Sequence, residues 1–140
     1  MTYLDPTEVS AYDNRRRRAR DTYQIGLAGI ENQRSNMLQN EGLETKNLAH
    51  KYTNMRNRLP GGYINRGVMD SGIYKRGLEN YAYNRQAEQS SLAARYQQML
   101  ADQALQGQAA GVNYSNTIGA VDDEEAVRRA SIAAALKGLL

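Results

Sequence analysis

Residues 60–81 read PGGYINRGVMDSGIYKRGLENY, and they decide whether the chain turns back on itself. Glycine stands at 62, 67, 72 and 77, a spacing of five. Five fits neither the period of an α-helix, about 3.6 residues, nor that of a strand, about two. The stretch is therefore read as a corner followed by the first turns of a helix. Pro60 disfavours the helical region at Leu59 and stops the element before it. Gly61, Gly62 and Gly67 serve the turn, where positive φ is tolerated. Gly72 sits at the cap, beside the cap candidates Asp70 and Ser71. Gly77 falls inside the next helix, where a missing side chain lets another backbone approach closely. The spacing of five is then a coincidence of three uses.

Upstream of the corner, Asp5-Pro6-Thr7-Glu8 carries a helix start: Asp5 caps, Pro6 fits the first turn and Glu8 completes a capping box. Val9, Tyr12, Ala19, Tyr23 and Ile30 recur at three, four or seven residues, and Leu48, Tyr52, Met55 and Leu59 resume the pattern. This predicts a helix over 6–59, with a break near Asn40–Thr45, where Gly42 interrupts the seam. Downstream, Tyr74, Leu78, Tyr81, Leu92, Tyr96 and Met99 predict a second helix over 72–106 that packs along this stripe. Residues 107–121 contain Gly107, Gly111 and Gly119 with no periodicity, and read as a linker or loose, extended arm. Residues 122–140 read as a short amphipathic docking helix whose apolar face is Ile132, Leu136, Leu139 and Leu140. Asp122 to Glu125 suit a helix N-terminus, and Glu124–Arg128 and Glu125–Arg129 are favourable i,i+4 pairs. The expected fold is all-α. A long helical hairpin occupies 1–106 with its corner at 60–71, followed by the arm and the docking helix.

The composition limits what this fold can bury. Leu, Ile and Val number 13, 6 and 5 of 140 residues, with no Phe and no Trp. That is about 17%, under the ~20% below which a stable core becomes doubtful. The net charge of +3 is too small for a charge-extended disordered chain. Helices that cannot close a core alone imply oligomerisation. All ten aromatic residues are Tyr, a side chain suited to half-wet contacts between molecules. There is no Cys, hence no disulfide and no thiolate metal site. No run of about 18 apolar residues occurs, so no membrane span is expected, and the N-terminus lacks a signal-peptide layout.

Candidate chemistry is sparse. His50 is the single histidine and has no companion ligands for a metal site. No nucleophile–base–orienter set can be assembled, and GGYINRG lacks the Gly-Lys-Ser/Thr ending of a phosphate-binding loop. The expectation is a non-enzyme with no cofactor, no metal and no small-molecule substrate. The strongest local feature is Arg15, Arg16, Arg17, Arg18 and Arg20. Arg16 falls on the Val9–Tyr12–Ala19–Tyr23 line, where an unpaired charge would be costly to bury. This end of the helix therefore lies in water, against an acidic protein surface or against nucleic-acid phosphate. Residues 122–125 of a neighbouring copy are one acidic partner; ordinary helix-end charge bias is the simpler account of them.

The segment RGVMDSGIYKRGLENYAYNRQ, Arg66 to Gln86, together with the Cys-free and Trp-free, Gln/Asn/Arg/Ala-rich composition, resembles small helical virion proteins of tailed bacteriophages. The shared pattern is an RG-x-x-x-SG helix start followed by a Tyr/Gln/Ala-rich helix, covering about 20 residues. The resemblance implies a structural component of a virion, at the neck, tail or tail tip. It would be made in the host cytoplasm and partnered by its own copies and by other virion proteins. The alternatives are a DNA-contacting or DNA-ejection accessory protein acting through Arg15–Arg20, and a transient assembly scaffold.

Overall fold

The computed structural model describes residues 4–67 and 72–138. Two helices make up the chain: α1, Pro6–Ile64, and α2, Gly72–Lys137. They pack against each other, and no strand occurs among the described residues. The all-α hairpin expected from the corner is therefore the fold. Contacts divide it into two units, Met1–Asn32 with Gln103–Leu140, and Gln33–Asp102.

The unit Gln33–Asp102 contains the reversal of the chain. Its contacts run from Glu44–Arg95 through Lys51–Glu88 to Tyr63–Tyr74. Numbers rise on α1 as they fall on α2, so the helices are antiparallel here. The seam is built largely of tyrosine. Tyr52 and Tyr96 are buried. The Tyr81 hydroxyl donates to the Tyr52 carbonyl at 2.8 Å, and their rings meet edge-on with centroids 5.5 Å apart. Tyr63 and Tyr74 repeat that geometry at 5.2 Å. The rings fill the space between the helices while the Tyr81 and Tyr96 hydroxyls find acceptors, which Phe could not do. Of the expected stripe, Tyr74, Tyr81, Leu92 and Tyr96 face this seam, whereas Leu78 and Met99 lie on its exposed flanks.

The corner differs from expectation in position. α1 runs through Leu59, Pro60, Gly61 and Gly62 to Ile64. Pro60 removes one backbone donor, that for the carbonyl of Arg56. Arg56 is exposed, α1 continues for another turn to Ile64, and Asn65 N–H donates to Gly61 C=O at 3.1 Å at its end. Helix continuation also places Tyr63 against Tyr74. The chain leaves the helix only at Gly67, whose amide donates to Ile64 C=O at 3.0 Å and whose φ is +67°. Gly72 opens α2; the cap candidates Asp70 and Ser71 lie outside the described residues. Gly77 does permit a close approach, but by a side chain rather than a backbone. A Cβ there would stand 2.2 Å from Tyr63 Oη. The break expected at Asn40–Thr45 is absent, and α1 is helical across Gly42.

In the unit Met1–Asn32 with Gln103–Leu140, the pairs Glu8–Arg128, Arg15–Glu124 and Tyr23–Tyr114 again set antiparallel helices. Asp5 caps α1 as expected. Its Oδ1 accepts from Thr7 N–H at 3.0 Å and its carbonyl from Glu8 and Val9. The amide bond holds the Asp5 carboxyl below its ordinary range. Glu8, however, is not the reciprocal half of a capping box, because its carboxylate takes Arg128.

Residues 107–121 are not a loose arm, and residues 122–137 are not a separate helix; both belong to α2. Gly107 and Gly111 cost about 1 kcal/mol each relative to Ala. What offsets them is the packing of the face they share. Gly107, Ala110, Tyr114, Ile118 and Val121 recur every three or four residues and are half-buried or buried. Tyr114 stacks on Tyr23 with centroids 4.8 Å apart and planes 10° from parallel, and Val121 is 2% exposed. Tertiary contact, not local propensity, holds this segment helical. Of the expected docking face, Ile132 is half-buried and Leu136 is exposed, while Leu139 and Leu140 lie outside the described residues.

Candidate functional site

The arginine run and the acidic run lie opposite each other because α2 is continuous. Arg15 forks onto Glu124, with Nη1 on one carboxylate oxygen and Nη2 on the other at 3.2 Å. Arg16 places Nε and Nη2 on Asp122 Oδ1 at 2.9 and 2.7 Å, reaches Glu125 with Nη2, and touches Asp13 at 3.2 Å. Glu125 also receives Arg129 from one turn on, at 3.0 and 2.6 Å. The acidic residues are thus in mid-helix, and the helix-end rationale for them does not hold. Within the chain, Asp122, Glu124 and Glu125 pair with Arg16, Arg15 and Arg129. Of the two expected i,i+4 pairs, Glu125–Arg129 forms, while Arg128 goes to Glu8 and Glu124 to Arg15.

The electrostatics follow from these contacts. Arg16 stands on the seam, as its spacing implies, with its side chain 28% exposed and that of Glu125 12% exposed. The hydrogen bond from Arg15 holds the Glu124 carboxyl below its ordinary range. Arg16, and then Arg129, does the same for Glu125. The Arg15 and Arg16 guanidiniums are shifted up by the same contacts.

Arg17, Arg18 and Arg20 behave differently. All three are exposed. Among the described residues none of them makes an ion pair or a side-chain hydrogen bond. The five arginines expected to act together are therefore split into two that the chain engages itself and three that it leaves open. Beside them runs a groove of about 840 Å³, with Arg15 and Arg18 at its edge, the stacked Tyr23 and Tyr114 within it, and Thr22 and Thr117 along it.

The other unit holds a smaller groove, about 400 Å³, between the Lys51–Glu88 bridge of 2.8 Å and the Arg95–Glu44 bridge, with Leu48 and Leu92 in its wall. The Tyr96 hydroxyl donates to Glu44 at 2.9 Å. Burial, and then the Glu44 carboxylate, pushes the Tyr96 hydroxyl above its ordinary range. Both grooves lie alongside ion pairs that are complete in themselves. His50 is exposed on α1. Among the described residues no three His, Asp or Glu side chains converge to hold a metal ion, and no helix is long and apolar enough to cross a membrane.

No protein-family profile matches the chain, and no curated protein or solved structure is similar to it.

Proposed function

We propose that the chain is a non-enzymatic structural component of a larger assembly, a helical hairpin whose apolar contacts are completed by other copies and by neighbouring proteins. The observation that carries this reading is how little the chain buries. Among the described residues the buried apolar side chains are Leu4, Tyr52, Tyr96 and Val121. Ile25, Tyr83, Val127 and Leu105 are 73%, 72%, 69% and 61% exposed. These exposed side chains occur in both units, so the hairpin is suited to contact with neighbours along both.

The kind of assembly follows from the resemblance carried by Arg66–Gln86. We place the chain in the virion of a tailed bacteriophage, in the neck, tail or tail-tip region, after assembly in the host cytoplasm. Tyrosine-rich seams and exposed Tyr83 suit contacts that form between already folded, solvated helices. The reading is tested by thermal unfolding at protein concentrations a hundredfold apart. Folding completed by other copies makes the melting temperature rise with concentration. A midpoint independent of concentration would overturn it.

A further inference from the structure

We propose that the arginine run of α1 is a surface for a nucleic-acid backbone that the chain's own carboxylates keep partly occupied. Arg17, Arg18 and Arg20 meet phosphates directly, while Asp122, Glu124 and Glu125 stand in for phosphate on Arg15 and Arg16. The proposal does not rest on the assembly reading.

The geometry of the engaged pair is what a phosphate would take over. Glu124 accepts from both terminal nitrogens of Arg15, and Asp122 accepts from Nε and Nη2 of Arg16. A guanidinium fork grips two oxygens of a phosphate as Arg15 grips the two of Glu124, and two of its N–H groups can share one phosphate oxygen as those of Arg16 share Asp122 Oδ1. The exchange is easy for Arg15, whose bridge is open to water on both sides, at 47% and 54% exposure. It is also feasible for Arg16. Glu125, the least exposed of its partners, keeps Arg129 when Arg16 leaves, so no carboxylate is stranded. Three guanidiniums are available before any exchange, and two more after it.

Phosphate fits this surface better than an acidic protein does. A protein interface needs an apolar anchor at its centre, with charge toward the rim. Residues 13–21 offer one apolar side chain, Ala19, which lies half-buried on the seam. A run of exposed arginines is the footprint of backbone contact on nucleic acid, and the stacked Tyr23 and Tyr114 in the groove beside Arg15 and Arg18 are aromatic faces of the kind that bases also stack on. Asp13, on Arg16 at 3.2 Å, and Asp21, beyond Arg20, bound the patch at either end.

The test is fluorescence anisotropy of a labelled duplex DNA of arbitrary sequence, titrated with the full chain at several salt concentrations. Each phosphate contact contributes about −0.9 to the slope of log K against log salt. Three contacts give the wild type a slope of about −3. The variant Asp122→Asn/Glu124→Gln/Glu125→Gln steepens it to about −4.5 and binds at least tenfold more tightly at low salt. A control, Glu31→Gln/Glu41→Gln/Glu79→Gln, makes the same change in net charge and leaves the slope where it was. Arg17→Ala/Arg18→Ala/Arg20→Ala abolishes binding. Glu124→Gln alone, at an exposed pair, steepens the slope by about one, so the proposal stays testable if circular dichroism shows the triple acidic variant unfolded. Absence of DNA binding by the wild type at low salt overturns the proposal. So does a steepening equal to that of the control, or polyglutamate displacing the DNA as strongly as competing unlabelled DNA does, which would mark an acidic-protein surface instead.

Discussion

Replacing glycine by alanine inside α2 separates the two ways residues 107–121 could be built. In an exposed or open helical position the change stabilises by about 0.8–1 kcal/mol, because Gly forfeits more backbone entropy than Ala on entering a helix. In a loose segment it does little. A Cβ built at Gly107 or at Gly119 meets nothing within 4 Å, so neither site resists the methyl group. The double variant Gly107→Ala/Gly119→Ala should therefore gain about 2 kcal/mol. For 140 residues, an unfolding entropy of about 2.1 cal/mol/K per residue converts this to a rise of roughly 7 °C in melting temperature. Gly77→Ala is the internal contrast. Its new Cβ would lie 2.2 Å from Tyr63 Oη and 2.8 Å from Cζ, which forces the ring off Tyr74. Losing that edge-on pair costs about 0.5–1.5 kcal/mol, which offsets about half of the helix gain or more. The assay is thermal melting by circular dichroism at 222 nm, about the standard helix wavelength, at one protein concentration. An unchanged or lower midpoint for the double variant would refute a helical 107–121, and a gain of roughly 3 °C for Gly77→Ala would refute the Tyr63 approach.

Other expectations follow from single side chains. Val121→Ala removes two methyl groups from a site that is 2% exposed and should cost about 2 kcal/mol once the residual cavity is added, read by urea denaturation. Glu125→Gln should lower the melting temperature more than Glu124→Gln does. Glu125 is 12% exposed and holds two arginines, whereas Glu124 is 54% exposed and holds one. Glu88, Glu124 and Glu125 have carboxyls shifted down by Lys51, Arg15 and Arg16 respectively. Their contribution is present above the unfolded carboxyl range, near pH 4.5, and is lost as pH falls below it through the folded values. Melting temperature measured from pH 7 down to about 2 should therefore decline below about pH 4.5, and the Glu88→Gln variant should decline less.

The hairpin is legible in the glycine-rich stretch that ends α1 at Gly67 and opens α2 at Gly72, although Pro60, Gly61 and Gly62, read as part of the turn, lie inside α1. Its exact place is not. The backbone rule at Leu59 is a local bias, and the Tyr63–Tyr74 contact that overrides it joins residues whose pairing is unknown before the fold. The Asp5 cap and the stripe Tyr74, Tyr81, Leu92 and Tyr96 are legible for the same reason as the hairpin: local chemistry and spacing suffice. Residues 107–121 are not, although Gly107, Ala110, Tyr114, Ile118 and Val121 do keep helical spacing. Glycine and alanine on a seam give almost no hydropathy signal, and glycine argues for a loop. That omission hides the site as well. Spacing puts Arg16 on the seam and leaves it facing water, an acidic protein surface or phosphate. Only a continuous α2 brings Glu124 opposite Arg15 and Asp122 opposite Arg16, so the partner within the chain stays invisible while residues 107–121 are taken as loose. The division of the arginines into engaged and open sets is a property of register, which composition does not carry.

The most direct test of an assembly-completed hairpin is the light-scattering mass of the purified chain, taken with circular dichroism at two concentrations. The account predicts a helical protein whose mass is a multiple of 15.7 kDa and grows or holds at the higher concentration. A fully helical, cooperatively folded particle of 15.7 kDa at both concentrations would contradict it.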